Sequence, residues 1–174
     1  MFARTGLGAA NHAEVARAAG VAVSTVFLYF PTRDALVDAV LSEVERFYLA
    51  QGEQAFAGSA PAPEKLRALA DAFLASLDTN LSHALVWLDW STHFREEVWR
   101  RFLGFMDGEV QRCERVIRRG QADATIPPGR DARAAARVFV GTAPMFVHMK
   151  LTGASADEIA RIRETVVTVT AGPA

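Results

Sequence analysis

The chain has a single cysteine, Cys113, among its 174 residues, which excludes a disulfide scaffold. It also has no excess of positive charge: 19 Lys and Arg stand against 20 Asp and Glu, a formal net charge of -1. Any nucleic-acid partner must therefore be held by a local patch. Long apolar runs are missing as well. The longest stretches without a charged residue are 18–32, fifteen residues that include Ser24, Thr25 and Pro31, and 138–149, only twelve. A membrane span needs roughly 20 consecutive apolar residues. Residues 1–11 hold one Arg and no hydrophobic run of signal-peptide length, so a cytoplasmic protein with no membrane partner is expected.

Catalytic signatures are absent too. There is no Walker A loop, no Gly-rich dinucleotide fingerprint and no zinc spacing. None of His12, His83, His93 and His148 follows a Glu by three residues, as a di-iron bundle requires. Cys113 lies between Arg112 and Glu114 on an amphipathic segment, the setting of a buried, inert thiol. No enzymatic activity, catalytic residue, metal or cofactor is expected.

What the chain does have is apolar content, 51%, enough to bury a core against the ordering entropy, and a helical period with no alternating strand pattern. The class is all-α. Leu36, Val40, Val44 and Phe47 predict a long helix over 32–56 that starts on Thr32 as N-cap. Gly58, Ser59, Pro61 and Pro63 then mark a boundary. Leu66, Leu69, Phe73 and Leu77 share the next helical face, and 80–91 forms a short helix with Trp87 and Trp90. A long helix carries Val98, Phe102, Phe105, Met106, Val110, Cys113 and Ile117, closed by Gly120 and the Pro127-Pro128-Gly129 turn. Residues 132–149 read as one helix that is apolar on most of its circumference. Ser155 and Glu158 form a capping box for the last helix, with Ile159, Ile162, Val166 and Val169.

Residues 12–30, HAEVARAAGVAVSTVFLYF, have the spacing of a helix-turn-helix. A small Ala16 permits close helix crossing, Gly20 can take the positive φ of the turn, and Val26 anchors the second helix. Ser24, Thr25, Leu28 and Tyr29 then face outward, where a recognition helix meets DNA. An ordinary helical corner uses the same small residues. Arg33 adds a cation at a helix N-terminus, which is unfavourable unless an anion such as phosphate shares it.

GVAVSTVFLYFPTRDAL (residues 20–36) resembles the DNA-binding signature of TetR-type transcriptional regulators. TVFLYFPTRDALVDAVL (25–41) and VWLDWSTHFREEVW (86–99) are similar to the LuxR/HapR branch of quorum-sensing regulators. The resemblance implies an N-terminal DNA-reading module over residues 1–50 and a C-terminal ligand-binding and dimerising bundle over 51–174. It makes Thr25 and Tyr29 recognition contacts, His12 a contact at the start of the preceding helix and Arg33 a phosphate contact. Leu28 stands where the branch has an Asn able to pair with a base edge, and Ala22 replaces a capping Ser, so a different operator is expected. The resemblance implies a first helix before the helix-turn-helix, of which residues 2–6 resemble only the end. Residues 1–50 hold Arg4, Arg17, Arg33 and Arg46 against Glu14, Asp34, Asp38, Glu43 and Glu45. The chain is expected to be shortened at its N-terminus and, without a basic arm, to bind DNA weakly.

For the bundle, Phe73, Leu77, Trp87, Trp90, Phe102 and Phe105 are more aromatic than simple filling demands, and Met106, Met145 and Phe146 add to them. Taken singly, each reads first as core. The resemblance places Trp87 and Phe102 on a regulatory cavity and Met106 where the branch has an Asn, which implies a more apolar pocket. Thr142, His148 and Asp89 are the candidate polar groups. The partners implied are double-stranded operator DNA, a small hydrophobic effector and a second copy of the chain packed through the last two helices. The alternative is a ligand-binding module of the same fold that no longer reads DNA.

Overall fold

The computed structural model describes residues 1–9, 11–94 and 96–172. Among these the elements are all helical: α1 Phe2–Thr5, a 3-10 turn at Leu7–Ala9, α2 His12–Ala19, α3 Val23–Tyr29, α4 Arg33–Phe56, α5 Ala62–Thr79, α6 Leu81–Trp90, α7 Glu96–Ala122, α8 Ala132–Gly141, α9 Ala143–Leu151 and α10 Ala156–Ala171. None is long and apolar enough to cross a membrane.

Side-chain caps start α2, α4, α8 and α10. The Asn11 carboxamide oxygen accepts from the Glu14 amide at 2.9 Å, and the Thr32 hydroxyl accepts from Ala35 at 3.1 Å. Asp131 accepts from the Arg133 and Ala134 amides, and Ser155 from Glu158. Ala22, with no oxygen to offer, leaves the start of α3 without a side-chain cap.

α4 forms the spine. Its innermost residues are Leu36, Val37, Leu41, Val44, Tyr48 and Gly52, while the expected Val40 and Phe47 sit at the margin, because α5 and α6 pack along it. One apolar cluster runs from Leu7, Ala16 and Val26 through α4 to Trp87, Trp90 and Phe102. The expected division at residue 50 thus falls inside a continuous helix. A second cluster joins α5, α7, α8 and α10, and a third joins α5, α6 and α9.

Two helix boundaries differ from expectation. Gly120 does not end α7, which runs on to Ala122; a Cβ there would lie 2.5 Å from that of Ala62, so the glycine lets α7 touch the start of α5. The predicted helix over 132–149 is two helices. Pro144 has no N–H to continue the ladder, and the chain breaks at Thr142. In α10, Val169 points outward, while Val167, Thr170 and Ala171 are buried.

Candidate functional site

The first candidate site is the head built by α2 and α3. Gly20 takes φ 67° and ψ 30° and its N–H donates to the Ala16 carbonyl, so the turn uses the left-handed conformation that glycine adopts at low cost. Ala16 and Val26 are buried between the two helices. Ser24, Thr25, Leu28 and Tyr29 are all exposed, Leu28 at 78% and Tyr29 at 72%. Two large apolar or aromatic side chains left in solvent on one short helix mark a surface meant to be covered.

His12 and Arg33 are placed otherwise than expected. The His12 ring is buried, stacks on Phe27 at 3.9 Å with 4° between planes, and donates from Nε2 to the Phe30 carbonyl at 2.6 Å. It ties the two ends of the helix-turn-helix together and does not face outward. Arg33 donates from Nη2 to the carbonyls of Leu7 and Gly8 at 2.7 and 2.8 Å. At this helix N-terminus, where a cation is disfavoured, the guanidinium is held by the neutral carbonyl dipoles of the preceding turn.

That turn is joined to the bundle. The Asp89 carboxylate, expected as a pocket group, instead accepts from the Leu7 amide at 2.7 Å. From α7, Arg101 bridges to α4: its Nε and Nη2 donate to the two Glu45 carboxylate oxygens at 2.8 and 2.7 Å, Nη2 also to Ser42 at 2.7 Å, and Nη1 to Asp38. Glu45, the strongest of these partners, raises the Arg101 pKa.

The second candidate site is a cavity of about 90 Å³ at the far end of α4. Of the predicted lining, Phe73, Trp87, Met106, Thr142 and Phe146 are there, with Phe105. Four others are not. Leu77 is packed in the third cluster. Trp90 is fully buried and donates from Nε1 to the Val98 carbonyl at 2.9 Å, and Phe102 is packed among Trp87, Trp90 and Trp99, stacked on the last. Met145 points outward, 38% exposed, as does His148. Thr142 lines the cavity, but its hydroxyl is donated to the Phe139 carbonyl at 2.7 Å.

Sequence reasoning missed the cavity's polar groups, Tyr48, Gln51 and Glu109. The signal was present: Glu109 stands in the i, i+3, i+4, i+7 register of Phe102, Phe105, Met106 and Cys113, where an acid is out of place. Burial pushes the Glu109 carboxyl above its ordinary pKa, against the pull of Arg112. Burial also raises the Tyr48 phenol; the neighbouring Ser76 hydroxyl, itself donated to the Phe73 carbonyl, acts in the opposite direction. Cys113 behind them is fully buried, its thiol pushed up to about 12 by burial and by Glu109, which leaves it inert.

Comparison with known proteins agrees with this architecture. Residues 1–40 match the family of bacterial regulatory proteins, tetR family. The HTH-type transcriptional regulator LuxR of Vibrio harveyi is 37% identical over 103 residues, 59% of this chain and 50% of that protein, so the chain spans half the length of this relative. Among solved structures, the transcriptional regulator FadR from Bacillus subtilis, in complex with stearoyl-CoA, superposes with a TM-score of 0.79 at 21% identity, covering 99% of this chain and 94% of that one. AibR, in complex with isovaleryl coenzyme A and operator DNA, gives 0.75 at 15% identity over 99% and 93%. The matched head, the LuxR-like stretch and a helical architecture shared along nearly the whole length are what this chain has in common with bacterial regulatory proteins of the tetR family.

Proposed function

We propose that the chain is a transcriptional regulator that binds double-stranded operator DNA as a homodimer and responds to a small apolar effector held in the cavity. The observation that carries this reading is α4. It is one uninterrupted helix of 24 residues that starts beneath the recognition helix and supplies Tyr48 and Gln51 to the cavity wall. At about 1.5 Å per residue, the cavity end lies roughly 25 Å from the head. A ligand that shifts α4 therefore moves the head. In a two-fold dimer whose half-sites lie about one DNA turn apart, a small tilt is enough to lose register.

The DNA role rests on Ser24, Thr25, Leu28 and Tyr29, which share the outward surface of α3. The effector role rests on Phe73, Trp87, Met106 and Phe146, with the acyl chains of the stearoyl-CoA and isovaleryl coenzyme A named for the two structural neighbours in line with an apolar occupant. Dimerisation is supported by α8 to α10, where Val138, Gly141, Met145 and Val169 are exposed. A second reading, a ligand-binding module that does not read DNA, is favoured by one observation: α3 carries no basic residue and Arg33 is engaged with Leu7 and Gly8. In vitro selection of bound DNA, with light scattering on the same sample, separates the two. Enrichment of a palindromic site by a dimer is expected; no enrichment by a folded dimer supports the second reading, and a monomer at micromolar concentration removes the first.

A further inference from the structure

The cavity wall holds polar atoms that find no hydrogen-bond partner within 3.5 Å among the described residues. Tyr48 Oη, Gln51 Oε1 and Glu109 Oε1 are each out of solvent and without a hydrogen-bond partner. All three residues line the same, otherwise largely apolar, cavity. Tyr48 and Gln51 are three residues apart on α4 and share a face. Glu109 comes from α7 and reaches across to α4, its Oε2 lying 4.0 Å from where a Cβ on Gly52 would be. Arg112 Nη2 stands 3.5 Å from Glu109 Oε1, a favourable charge that does not complete a hydrogen bond.

Buried polar atoms are normally paired, and an unpaired one forfeits its solvation with no return. Three on one cavity wall point to a ligand that supplies the missing partners. The Gln51 carbonyl oxygen and an ionised Glu109 carboxylate can only accept, and the Tyr48 hydroxyl can do either. The complementary group is a donor. We propose, resting on the effector role above, that this cavity takes an apolar molecule ending in a hydrogen-bond donor, a hydroxyl or a protonated amine, set between Gln51 and Glu109 with Tyr48 beside it. A carboxylate head is disfavoured, because it brings acceptors to acceptors and a second negative charge to Glu109. Thr142, the other hydroxyl on the wall, is already spent on the Phe139 carbonyl.

The test is a titration of the intact chain with n-hexanol, n-hexylammonium and n-hexanoate, which share a tail and differ in the head, followed by calorimetry and by tryptophan fluorescence, to which Trp87 on the cavity wall contributes. The alcohol and the ammonium are expected to bind at least about tenfold more tightly than the carboxylate. Gln51→Leu should weaken both by about tenfold and leave hexanoate unchanged, whereas Glu109→Gln should weaken the ammonium by about tenfold and the alcohol by less than about threefold. Equal affinity for all three heads overturns the donor requirement and leaves an apolar effector site standing. Saturable binding of none, in a chain that circular dichroism shows to be folded, overturns both the site and the donor requirement. Should either variant fail to fold, the comparison of heads on the unaltered chain decides alone.

Discussion

At one end of α4 the chain builds a head from residues close in sequence, and at the other a cavity from residues on every helix from α4 to α10. Ala16, Gly20 and Val26 fix the head through a turn conformation and two short contacts. The cavity joins Tyr48, Phe73, Trp87, Glu109, Phe146 and Val166, which meet only once the bundle has formed. The difference teaches that geometry in the head is enforced locally, while the cavity is what remains where packing is incomplete. Substitutions should therefore divide into those that break both ends at once and those confined to one.

Trp90→Ala should have the largest effect and respect no boundary. The indole is fully buried, lies edge-on to Phe102 at 5.5 Å and stacked with Phe105 at 5.8 Å, and holds the Val98 carbonyl. It belongs to the cluster that continues into the head. Truncation is expected to cost about 3–5 kcal/mol, read from chemical denaturation. A loss below about 1 kcal/mol would mean that the shared cluster does not couple the two ends.

Gly20→Val should break the head alone. A Cβ at Gly20 meets nothing within 4 Å, so the cost is conformational, about 1–3 kcal/mol for a β-branched residue held at φ 67°. Hydrogen exchange is expected to speed up in α2 and α3 and stay unchanged in α7 and α8. Gly20→Asn, which tolerates the left-handed region, should recover most of the protection. Equal loosening of α7 would show that the head is not a separate unit of stability.

The same contrast explains what could be seen in the sequence. Helix-turn-helix spacing is a rule of neighbours, so Ala16, Gly20, Val26 and the outward set Ser24, Thr25, Leu28 and Tyr29 were legible from residues alone. The Thr32 and Ser155 caps were legible for the same reason. The fates of His12 and Arg33 were not, since each depends on which carbonyl, Phe30 or Leu7 and Gly8, the folded chain brings within reach. In the bundle an aromatic or Met residue on an apolar stripe reads alike whether it fills core or lines a void. Phe73, Trp87, Met106 and Phe146 fell on the cavity, but Leu77, Trp90, Phe102 and Met145 did not. An acid within an apolar register was the better signal, and it belonged to Glu109.

Arg101→Met tests the joint between the ends. It keeps the apolar stem and removes the fork that grips Glu45, Ser42 and Asp38. Because the guanidinium is only about a quarter exposed, the expected loss is about 1–2 kcal/mol, above that of a surface pair. A double-mutant cycle with Glu45→Gln should recover a coupling of similar size. Additive losses would assign the joint to Asp89 and Leu7 instead.

The smallest effect belongs to Glu109 and has a sign that sharpens the cavity end. Burial raises its folded pKa above the ordinary 4.5, so the folded chain keeps this proton to a higher pH than the unfolded chain does. The stabilising contribution is complete below 4.5 and is lost as pH rises through the folded value. Glu164, held low by its hydrogen bonds to Arg67, runs the other way and loses stability as pH falls. It is common to both proteins and cancels in a comparison. Glu109→Gln, which stays neutral throughout, should therefore gain on the unaltered chain as pH rises from 4.5 and then level off. The denaturant midpoints of the pair, measured across that range, check this. A difference that is flat in pH would mean that Arg112 already compensates the carboxylate, and the donor sought from a ligand would then have to be met at Gln51 and Tyr48 alone.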